Sequence, residues 1–401
     1  MGAASGAYTV FRGFAKITTV HPEGARCFGI DIGAHTIKIA LLEAGERGLM
    51  VRALERVPMP ANAFDNGILV RRREVGTLLK QSARRMDPRV RRAAISVSNE
   101  QTTIRRVEIP TMEPDQLEAA APFEVRKFIS YPAEQAEVGM AKIGQSEGET
   151  MSAYLVAAPR LVVQSYAAAA QQAGLHVVLI EAEPFALLRA LHLPPCREQC
   201  FWYGQSLAYA HIGHSALAFC IAQGEQMHSA RSISWGAERI VEVLAASLNS
   251  SAEEAKSLIE HSDTYLDERG ILYWPGDSGR RETLALRPEL ERLRREIERI
   301  FNYFRSLYPE RSYQGVLGKL MVSGGLSALR GLDSYLTHAL QIEVCVPNPF
   351  EWTPAADPIA AKAAHYKAEF AIAVGLGSAV LDTEAQRMKM SAGVWWRQQA
   401  A

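Results

Sequence analysis

The sequence contains no long hydrophobic run. No stretch of about 18 uncharged apolar residues occurs along the chain, which argues against a membrane-spanning helix. The start of the chain, MGAASGAYTVFRGFAKITTV, holds no apolar stretch long enough for a signal peptide. Gly2 does not open a myristoylation signal, because position 6 is Gly6 rather than Ser or Thr. These absences predict a cytoplasmic protein without direct membrane insertion.

Net charge is also absent. Lys plus Arg and Asp plus Glu number 44 each, so no overall positive charge favours a nucleic-acid partner. Local basic runs occur at 71–73 and 84–92. Runs of this kind are usually solvated helix faces, and we therefore expect no nucleic acid among the partners.

Cysteine is scarce. The five cysteines are scattered and odd in number, which argues against a disulfide framework. His192, Cys196 and Cys200 have the spacing of zinc ligands on a helix, but Pro194 and Pro195 would break that helix. No fourth ligand lies nearby in the sequence, whereas a structural zinc site needs four. We expect no zinc site here.

The strand pattern occurs twice. The segment CFGIDIGAHTIKIALLEAG predicts a strand, a tight glycine turn and a second strand, because β-branched residues alternate along it. SLAYAHIGHSALAFCIAQGE repeats the pattern about 180 positions later, and such a duplication is the sign of a two-lobed fold. The length of 401 residues also predicts two or more subdomains.

Other segments have different patterns. Between Thr102 and Gly174, a short strand, a helix, a hairpin at GQSEGE, a strand and a helix closed by Gly174 predict a small inserted αβ domain. The segment Glu238–Tyr313 is predicted to be largely helical, with one apolar stripe along its last helix. FAIAVGLGSAVL predicts an apolar helix whose small residues permit close packing.

Three glycine turns, each following an apolar strand, are the candidates for chemistry. In the first, Gly33 exposes backbone N–H groups to an anion, Thr36 offers a hydroxyl and Lys38 neutralises a phosphate. Asp31 is placed to hold Mg²⁺ through water, since magnesium usually keeps several waters. Taken alone, a turn of this kind more often simply joins two strands.

The other two turns follow the same logic. One is His211-Ile212-Gly213-His214-Ser215, and the other is Ser323-Gly324-Gly325, where two glycines would let a flat base lie against the backbone. The order and spacing of the three turns resemble those of the actin, hexokinase and heat-shock chaperone superfamily.

Longer segments resemble one branch of that superfamily. The segments GIDIGAHTIKIALLE, VEIPTMEPDQLEAAAPFEVRKFISYP and LMVSGGLSALRGLDSYLTHALQIEVCVPNPF are similar to the PilM family of type IV pilus assembly proteins, relatives of FtsA. The resemblance covers about residues 27–381. It implies an α/β protein with a two-lobed actin-like ATPase fold, built from duplicated RNase H-like domains with a small αβ (SHS2) domain inserted in the first lobe.

The resemblance also implies domain boundaries, which follow the chain in this order: N-terminal extension 1–25, first lobe 26–101, inserted αβ domain 102–174, first lobe continued 175–204, second lobe 205–346 with a helical subdomain at about 238–317, a segment 347–382 returning to the first lobe, and a tail 383–401.

The family pattern implies ATP and Mg²⁺ as cofactors. The residues carried over as nucleotide-binding are Asp31, Gly33, His35, Thr36, Lys38, Gly213, His214, Ser215, Gly236, Gly324 and Gly325, with Asp31 also holding Mg²⁺ through water. No catalytic residue is carried over.

Two departures from the family pattern bear on activity. His211 stands where the second phosphate turn of the family begins with Asp, and a histidine cannot replace a hard oxygen ligand for magnesium. ATP hydrolysis is therefore expected to be weak or absent. Ala255-Lys256 and Ile259 replace the family's Ala-Glu and later Lys, which predicts weaker contacts to the nucleoside.

The role implied by the resemblance is a cytoplasmic ATP-binding scaffold of type IV pilus or related secretion assembly. It would attach to the periphery of the inner membrane by binding the tail of a PilN-like membrane protein, and self-association stays open. Two alternatives stay open: an actin-like ATPase or kinase with genuine turnover, and a nucleotide-free structural protein. No general base for a kinase substrate is evident. A competing membrane contact is the tail with Trp395 and Trp396.

Overall fold

The structure is a computed structural model that describes residues 24–46, 48–192, 205–224, 226–276, 280–306 and 317–381. The described residues up to 190, together with 353–360 and 372–381, form a first unit, and those of 191–352 and 361–371 form a second. Most of the predicted N-terminal extension, the cysteines Cys196 and Cys200, and the tail with its tryptophans lie outside the described residues.

The central sheet of the first unit begins with the predicted strand–turn–strand. β1 (Arg26–Ile32) turns at Gly33 into antiparallel β2 (Thr36–Gly45), and β3 (Gly48–Pro58) extends the meander. Nearly every side chain of β1 and β2 is buried, as expected for strands covered on both faces. The sequence-based prediction of β1 and β2 is confirmed.

A helix then crosses back to the same sheet. The short strands β4 (Phe64–Asp65) and β5 (Ile68–Leu69) precede α1 (Arg72–Met86), and β6 (Arg92–Val97) returns to pair in parallel with β1. The apolar residues of α1 recur three and four apart and are buried on one face, as in an amphipathic helix.

The predicted small αβ domain follows. β7 (Thr103–Pro110), α2 (Pro114–Glu124), β8 (Ala136–Glu147) and β9 (Thr150–Pro159) form a three-stranded antiparallel sheet in the order β7–β9–β8 with a helix packed on it. Its hairpin lies at the predicted polar segment. Apolar side chains of α2, the residue that follows it and the sheet form a separate small core.

The chain then completes the central sheet. α3 (Arg160–Gln172) ends at Gly174, which has φ +78° as a helix-ending glycine requires. β10 (His176–Ala182) pairs in parallel with β6, giving the strand order β10–β6–β1–β2–β3, and α4 (Glu183–Leu191) follows directly.

The second unit opens with the repeated strand pattern. β11 (Ser206–Ile212), β12 (Leu217–Gln223) and β13 (Gln226–Ile233) form an antiparallel meander like that of the first unit. Two helices follow, α5 (Glu238–Leu248) and α6 (Ala252–Glu260). The start of α6 is fixed by a capping box, because Ser251 and Glu254 bond each other's backbone N–H.

A three-stranded sheet interrupts the segment predicted to be largely helical. β14 (Tyr265–Leu266), β15 (Ile271–Pro275) and β16 (Arg281–Ala285) pair antiparallel after α6. The helical prediction is wrong for this stretch. Gly270 takes φ +79° in the β14–β15 turn, and apolar side chains on one face of the sheet are buried in the core of the unit.

The long helix of the second unit matches its predicted stripe. In α7 (Arg287–Ser306) the residues buried in the core recur three and four apart, namely Leu290, Leu293, Ile297, Ile300, Phe301 and Phe304. Leu307, the next apolar residue at this spacing in the sequence, lies outside the described residues.

The second sheet closes with parallel strands. β17 (Leu317–Gly324) pairs with β11, a 3₁₀ turn and α8 (Leu332–Leu340) follow, and β18 (Glu343–Cys345) forms the edge strand beside β17. The strand order of this sheet is β13–β12–β11–β17–β18.

The last two helices are α9 (Ala360–Tyr366) and α10 (Ala371–Leu381). In the first unit, α10 packs at backbone distance on both the central sheet and α4, because a Cβ added at Gly29 of β1 would overlap the carbonyl of Ala373, and one at Gly375 would overlap that of Ala186 in α4. The prediction that small residues permit close packing of this helix is confirmed. Among the described residues, no helix is both long and apolar enough to cross a bilayer.

Candidate functional site

The first glycine turn brings Asp31 and Lys38 together. They face each other across β1 and β2, and Lys38 Nζ lies 3.2 Å from Asp31 Oδ2. Both side chains are buried, at 2% and 8% exposure. A buried charge is tolerated when it is paired, and each of these two groups supplies the other with a partner of opposite charge.

The backbone of this turn leaves little room for side chains. A Cβ at Gly33 would lie 2.9 Å from Thr36 O and 3.5 Å from Lys38 Nζ, so only glycine fits without a shift. Thr36 is buried at the start of β2, and the carbonyl of His35 accepts a hydrogen bond from the Met59 N–H at 2.9 Å. The structure thus places the five predicted residues of the first turn in one small region of the first unit.

Glu183 is a further carboxyl group at this place, and it was not predicted from the sequence. It opens α4 directly after β10, and its Oε2 accepts a hydrogen bond from the Asn99 N–H at 2.9 Å. Burial raises the pKa of Glu183 well above its usual range, and the charge of Asp31 raises it further.

The topology explains why these groups converge. β1, β6 and β10 run parallel, and Asp31, Ser96 and Glu183 all lie at or just beyond their carboxyl ends. In open α/β sheets that end is where ligands bind. A glutamate followed by Pro184 immediately after a buried strand is the signal that could have identified Glu183 in the sequence.

His211 occupies the equivalent place in the second unit. Its Nδ1 lies 3.0 Å from Ser323 Oγ, and both residues are buried. The bond joins the second and third predicted turns, because β11 and β17 run side by side with His211 opposite Ser323 and Ile212 opposite Gly324.

The glycines of the second unit are packed against carbonyl groups. A Cβ at Gly324, which has φ +91°, would overlap the carbonyl of Ile212, and one at Gly236 would overlap that of His214. A Cβ at Gly213 would lie 2.8 Å from the carbonyl oxygen of Ala216. At Gly325, by contrast, a Cβ would meet no described atom within 4 Å, so packing within the chain does not require that glycine.

The start of α5 joins the second turn to Gly236. The N–H groups of Ala237 and Glu238 donate to the carbonyls of Gly213 and His214 at 2.9 and 3.0 Å. The second turn, Gly236 and the third turn therefore form one region of the second unit, which includes Ser215. Ala255 and Ile259, the departures noted in α6, are buried in the core of this unit.

Both ring nitrogens of His192 are held by hydrogen bonds within the chain. Its Nδ1 lies 2.7 Å from Tyr209 Oη and its Nε2 lies 2.5 Å from the carbonyl of Gly224. Burial lowers its pKa to about 4. Over the described part of the chain, no group of three His, Cys, Asp or Glu side chains is placed to hold a metal ion.

The oxygen donors at the first turn fit Mg²⁺ bound through water. Asp31 supplies carboxylate oxygens, which this hard cation prefers, and Lys38 supplies a cation of the kind that binds phosphate. His211 offers nitrogen instead of oxygen and is already bonded to Ser323, so the second unit fits a metal role less well.

Two sheets with the same meander, each with a glycine turn at the carboxyl end of its first strand, define an α/β protein with the actin-like ATPase fold. The family model of the type IV pilus assembly protein PilM matches residues 29–379. The chain therefore belongs to the PilM family.

The chain is similar to several solved structures. A PilM–PilN type IV pilus biogenesis complex is 22% identical, with a TM-score of 0.74, and the match covers 89% of this chain and 99% of that one. The ethanolamine utilization protein EutJ from Carboxydothermus hydrogenoformans is 14% identical over 88% and 89% of the two chains, with a TM-score of 0.48. MreB5 of Spiroplasma citri bound to AMPPNP is 12% identical over 91% and 98%, with a TM-score of 0.47.

Proposed function

We propose that this protein is an ATP-binding scaffold of type IV pilus or related secretion assembly that binds the cytoplasmic tail of a PilN-like inner-membrane protein. The observation that carries the proposal is the family match over residues 29–379, a span that includes residues of both units and the small αβ domain. It is supported by the similarity of the fold to a chain of a PilM–PilN complex, over 99% of that chain.

Each predicted residue has a role in this proposal. Lys38 neutralises phosphate, the N–H groups around Gly33, His35 and Thr36 bind its oxygens, and Asp31 orients the water shell of Mg²⁺, which supplies charge neutralisation. In the second unit, Gly213, His214 and Ser215 bind phosphate, and Gly236, Gly324 and Gly325 approach the nucleoside.

Nucleotide acts here as a ligand whose binding promotes assembly, and its hydrolysis does not drive the function. His211 is bonded to Ser323 and cannot supply the oxygen ligand that the family's Asp provides, so turnover is slow. A ligand that binds one conformation better than another shifts the population toward it without being consumed.

A hydrolysing ATPase is the competing function, and Glu183 is the observation that favours it. Its raised pKa beside Asp31 suits a group that accepts a proton from water. The magnesium-dependent ATPase rate of the purified protein separates the two functions.

Attachment to the inner membrane takes place through the partner, and the protein is cytoplasmic. The small αβ sheet ends in β7 on one side and β8 on the other, and an extended tail can add to such an edge through main-chain hydrogen bonds.

The test is flotation with phosphatidylcholine vesicles that display the cytoplasmic tail of the PilN-like protein, using the chain truncated after Asp382. Binding that requires the displayed tail and survives the truncation supports the proposal. Equal flotation with a scrambled tail, or loss of binding on truncation, overturns it, since the tryptophans of the C-terminal segment would then carry the contact.

A further inference from the structure

Helix α1 and the residues around it carry an excess of positive charge. Residues 71–92 contain nine Arg and Lys against two Asp and Glu, whereas the whole chain is neutral. The rest of the chain therefore carries the opposite excess. A segment of this charge lies on the surface of the first unit, and none of the candidate site residues belongs to it.

The charges are aligned on one face of the helix. Arg73, Lys80 and Arg84 are spaced by seven and four residues, and with Thr77 they form an exposed row opposite the buried face of α1. We call Arg73, Lys80 and Arg84 the basic stripe, which extends for about 16 Å along the helix. Arg72 and Arg91, also exposed, add charge beyond its two ends.

The basic stripe is unpaired, unlike other arginines of the same segment. Arg71, Arg85 and Arg89 form ion pairs with Glu74, Glu55 and Asp87. Among the described residues, no ion pair is made by Arg72, Arg91 or any member of the stripe.

A second surface helix of the chain shows the contrast. α7 alternates its arginines with glutamates and pairs them along the helix, as in Arg292–Glu289, Arg294–Glu298 and Arg299–Glu296. Like charges four residues apart, such as Lys80 and Arg84, destabilise a helix instead. A helix face that contacts only water gains nothing from repulsion between like charges. The unpaired charges therefore indicate that the stripe binds an anionic partner outside the chain.

The composition of the surface favours lipid headgroups over nucleic acid. Residues 71–92 contain no aromatic side chain on which a base could stack. Val70, which is 50% exposed, directly precedes the basic residues, and an apolar side chain is accommodated by a bilayer interface but not by a polyanion.

We propose that α1 is a contact surface for anionic phospholipids, and that the basic stripe adsorbs the protein to a negatively charged membrane surface without insertion. Basic residues on a helix are attracted to the negative potential of such a surface, by about a fivefold gain in partitioning for each residue in contact. The contact goes beyond the proposed function, because it needs neither nucleotide nor a partner's tail.

The test measures partitioning of the full chain onto bare vesicles of phosphatidylcholine containing about one-third phosphatidylglycerol. The variant carries Arg73→Gln, Lys80→Gln and Arg84→Gln. The matched control carries Arg292→Gln, Arg295→Gln and Arg299→Gln, three exposed arginines of α7 with the same loss of charge. Circular dichroism verifies that both variants stay folded.

The parent is expected to bind these vesicles, to ignore pure phosphatidylcholine and to release as salt is raised, because salt screens surface charges. The stripe variant is expected to lose about two orders of magnitude in partitioning, and the control less than threefold. Absence of parental binding, or equal loss in both variants, overturns the proposal. Tighter binding to duplex DNA than to the vesicles, lost in the stripe variant, also overturns it. A negative result with the anionic vesicles would not bear on the tail-display experiment, because that experiment uses vesicles without net charge.

Discussion

At the scale of single residues, the buried pair of Asp31 and Lys38 determines what a substitution at the first turn does. Lys38→Ala is expected to weaken ATP binding by about 1.5–3 kcal/mol, the range of a hydrogen bond to a charged group. Titration calorimetry measures the change. The same variant leaves the Asp31 carboxylate buried without its cation, so its unfolding free energy is expected to fall as well.

Lys319→Ala is the matched control for this variant. Lys319 also pairs with a carboxylate, Glu343 of the edge strand β18, but it lies near the start of β17, at the opposite end of that strand from Gly324. The Lys319→Ala substitution should leave the affinity for ATP unchanged. Equal affinity of the parent and Lys38→Ala would refute the role assigned to the first turn.

The residue at position 211 is expected to limit hydrolysis. His211→Asp restores an oxygen ligand next to Ser323, whose hydroxyl can donate to the new carboxylate, and we expect magnesium-dependent turnover to rise. His211→Asn has similar size without the charge and should stay at the parental rate. A parent that already turns over ATP faster than about one per second, the lower end of typical enzymes, contradicts the prediction.

His192 makes the stability of the second unit depend on pH. Its pKa is about 4 in the folded chain because it is buried, whereas an unfolded histidine titrates near 6.5. Between these values the unfolded chain binds a proton that the folded chain does not. The contribution of His192 is therefore complete above pH 6.5 and is lost as the pH falls toward 4, by on the order of 3 kcal/mol.

Urea unfolding at several pH values tests this dependence. His192→Phe loses the hydrogen bonds to Tyr209 and Gly224 and should be less stable at pH 7, but its loss of stability between pH 7 and 5 should be smaller than that of the parent. If the unfolding free energies of the two proteins fall equally as the pH is lowered from 7 to 5, another group determines the loss of stability in acid.

At the scale of elements, the packing of α10 on the central sheet depends on glycine. Gly29→Ala is expected to destabilise the first unit by about 1–3 kcal/mol or more, because the new Cβ overlaps backbone atoms that cannot rotate away. Gly45→Ala, in the neighbouring β2, would place its Cβ at an ordinary 3.5 Å from the Gly48 carbonyl and serves as the control. Equal unfolding midpoints in denaturant would disprove this account of the packing.

Local patterns determine which elements could be predicted. Alternating β-branched residues around a glycine predicted β1–β2, a repeat of the strand–turn–strand pattern predicted β11–β12, and Gly174 predicted the end of α3, because each signal lies within a few residues. The three strands between α6 and α7 were missed because their stability comes from side chains that pack into a core formed by distant segments.

The candidate site was predictable in part for a similar reason. Asp31, Gly33 and Lys38 lie within one turn, so their proximity follows from the hairpin. Glu183 reaches them only because β10 pairs in parallel with β6 and β6 with β1, and such pairings between distant strands leave no local pattern.

At the scale of the whole molecule, the proposed scaffold has two ligands, ATP and the tail of a PilN-like protein. If nucleotide acts as an assembly ligand, its binding must change the affinity for the tail. Linkage then requires that the tail change the affinity for nucleotide by the same factor. The expected factor is at least about fivefold, the lower end of typical coupling between sites.

The coupling is measured as tail-peptide affinity with and without saturating ATP and magnesium, and as ATP affinity with and without saturating peptide. The two factors should agree, because they close one thermodynamic cycle. In Lys38→Ala, ATP at the concentration that saturates the parent should enhance tail binding less, while Lys319→Ala should retain the full factor. The peptide affinity without nucleotide should be the same in all three proteins. Identical peptide affinity with and without ATP in the parent would mean that nucleotide is a structural ligand of the fold, with no part in recruiting the partner.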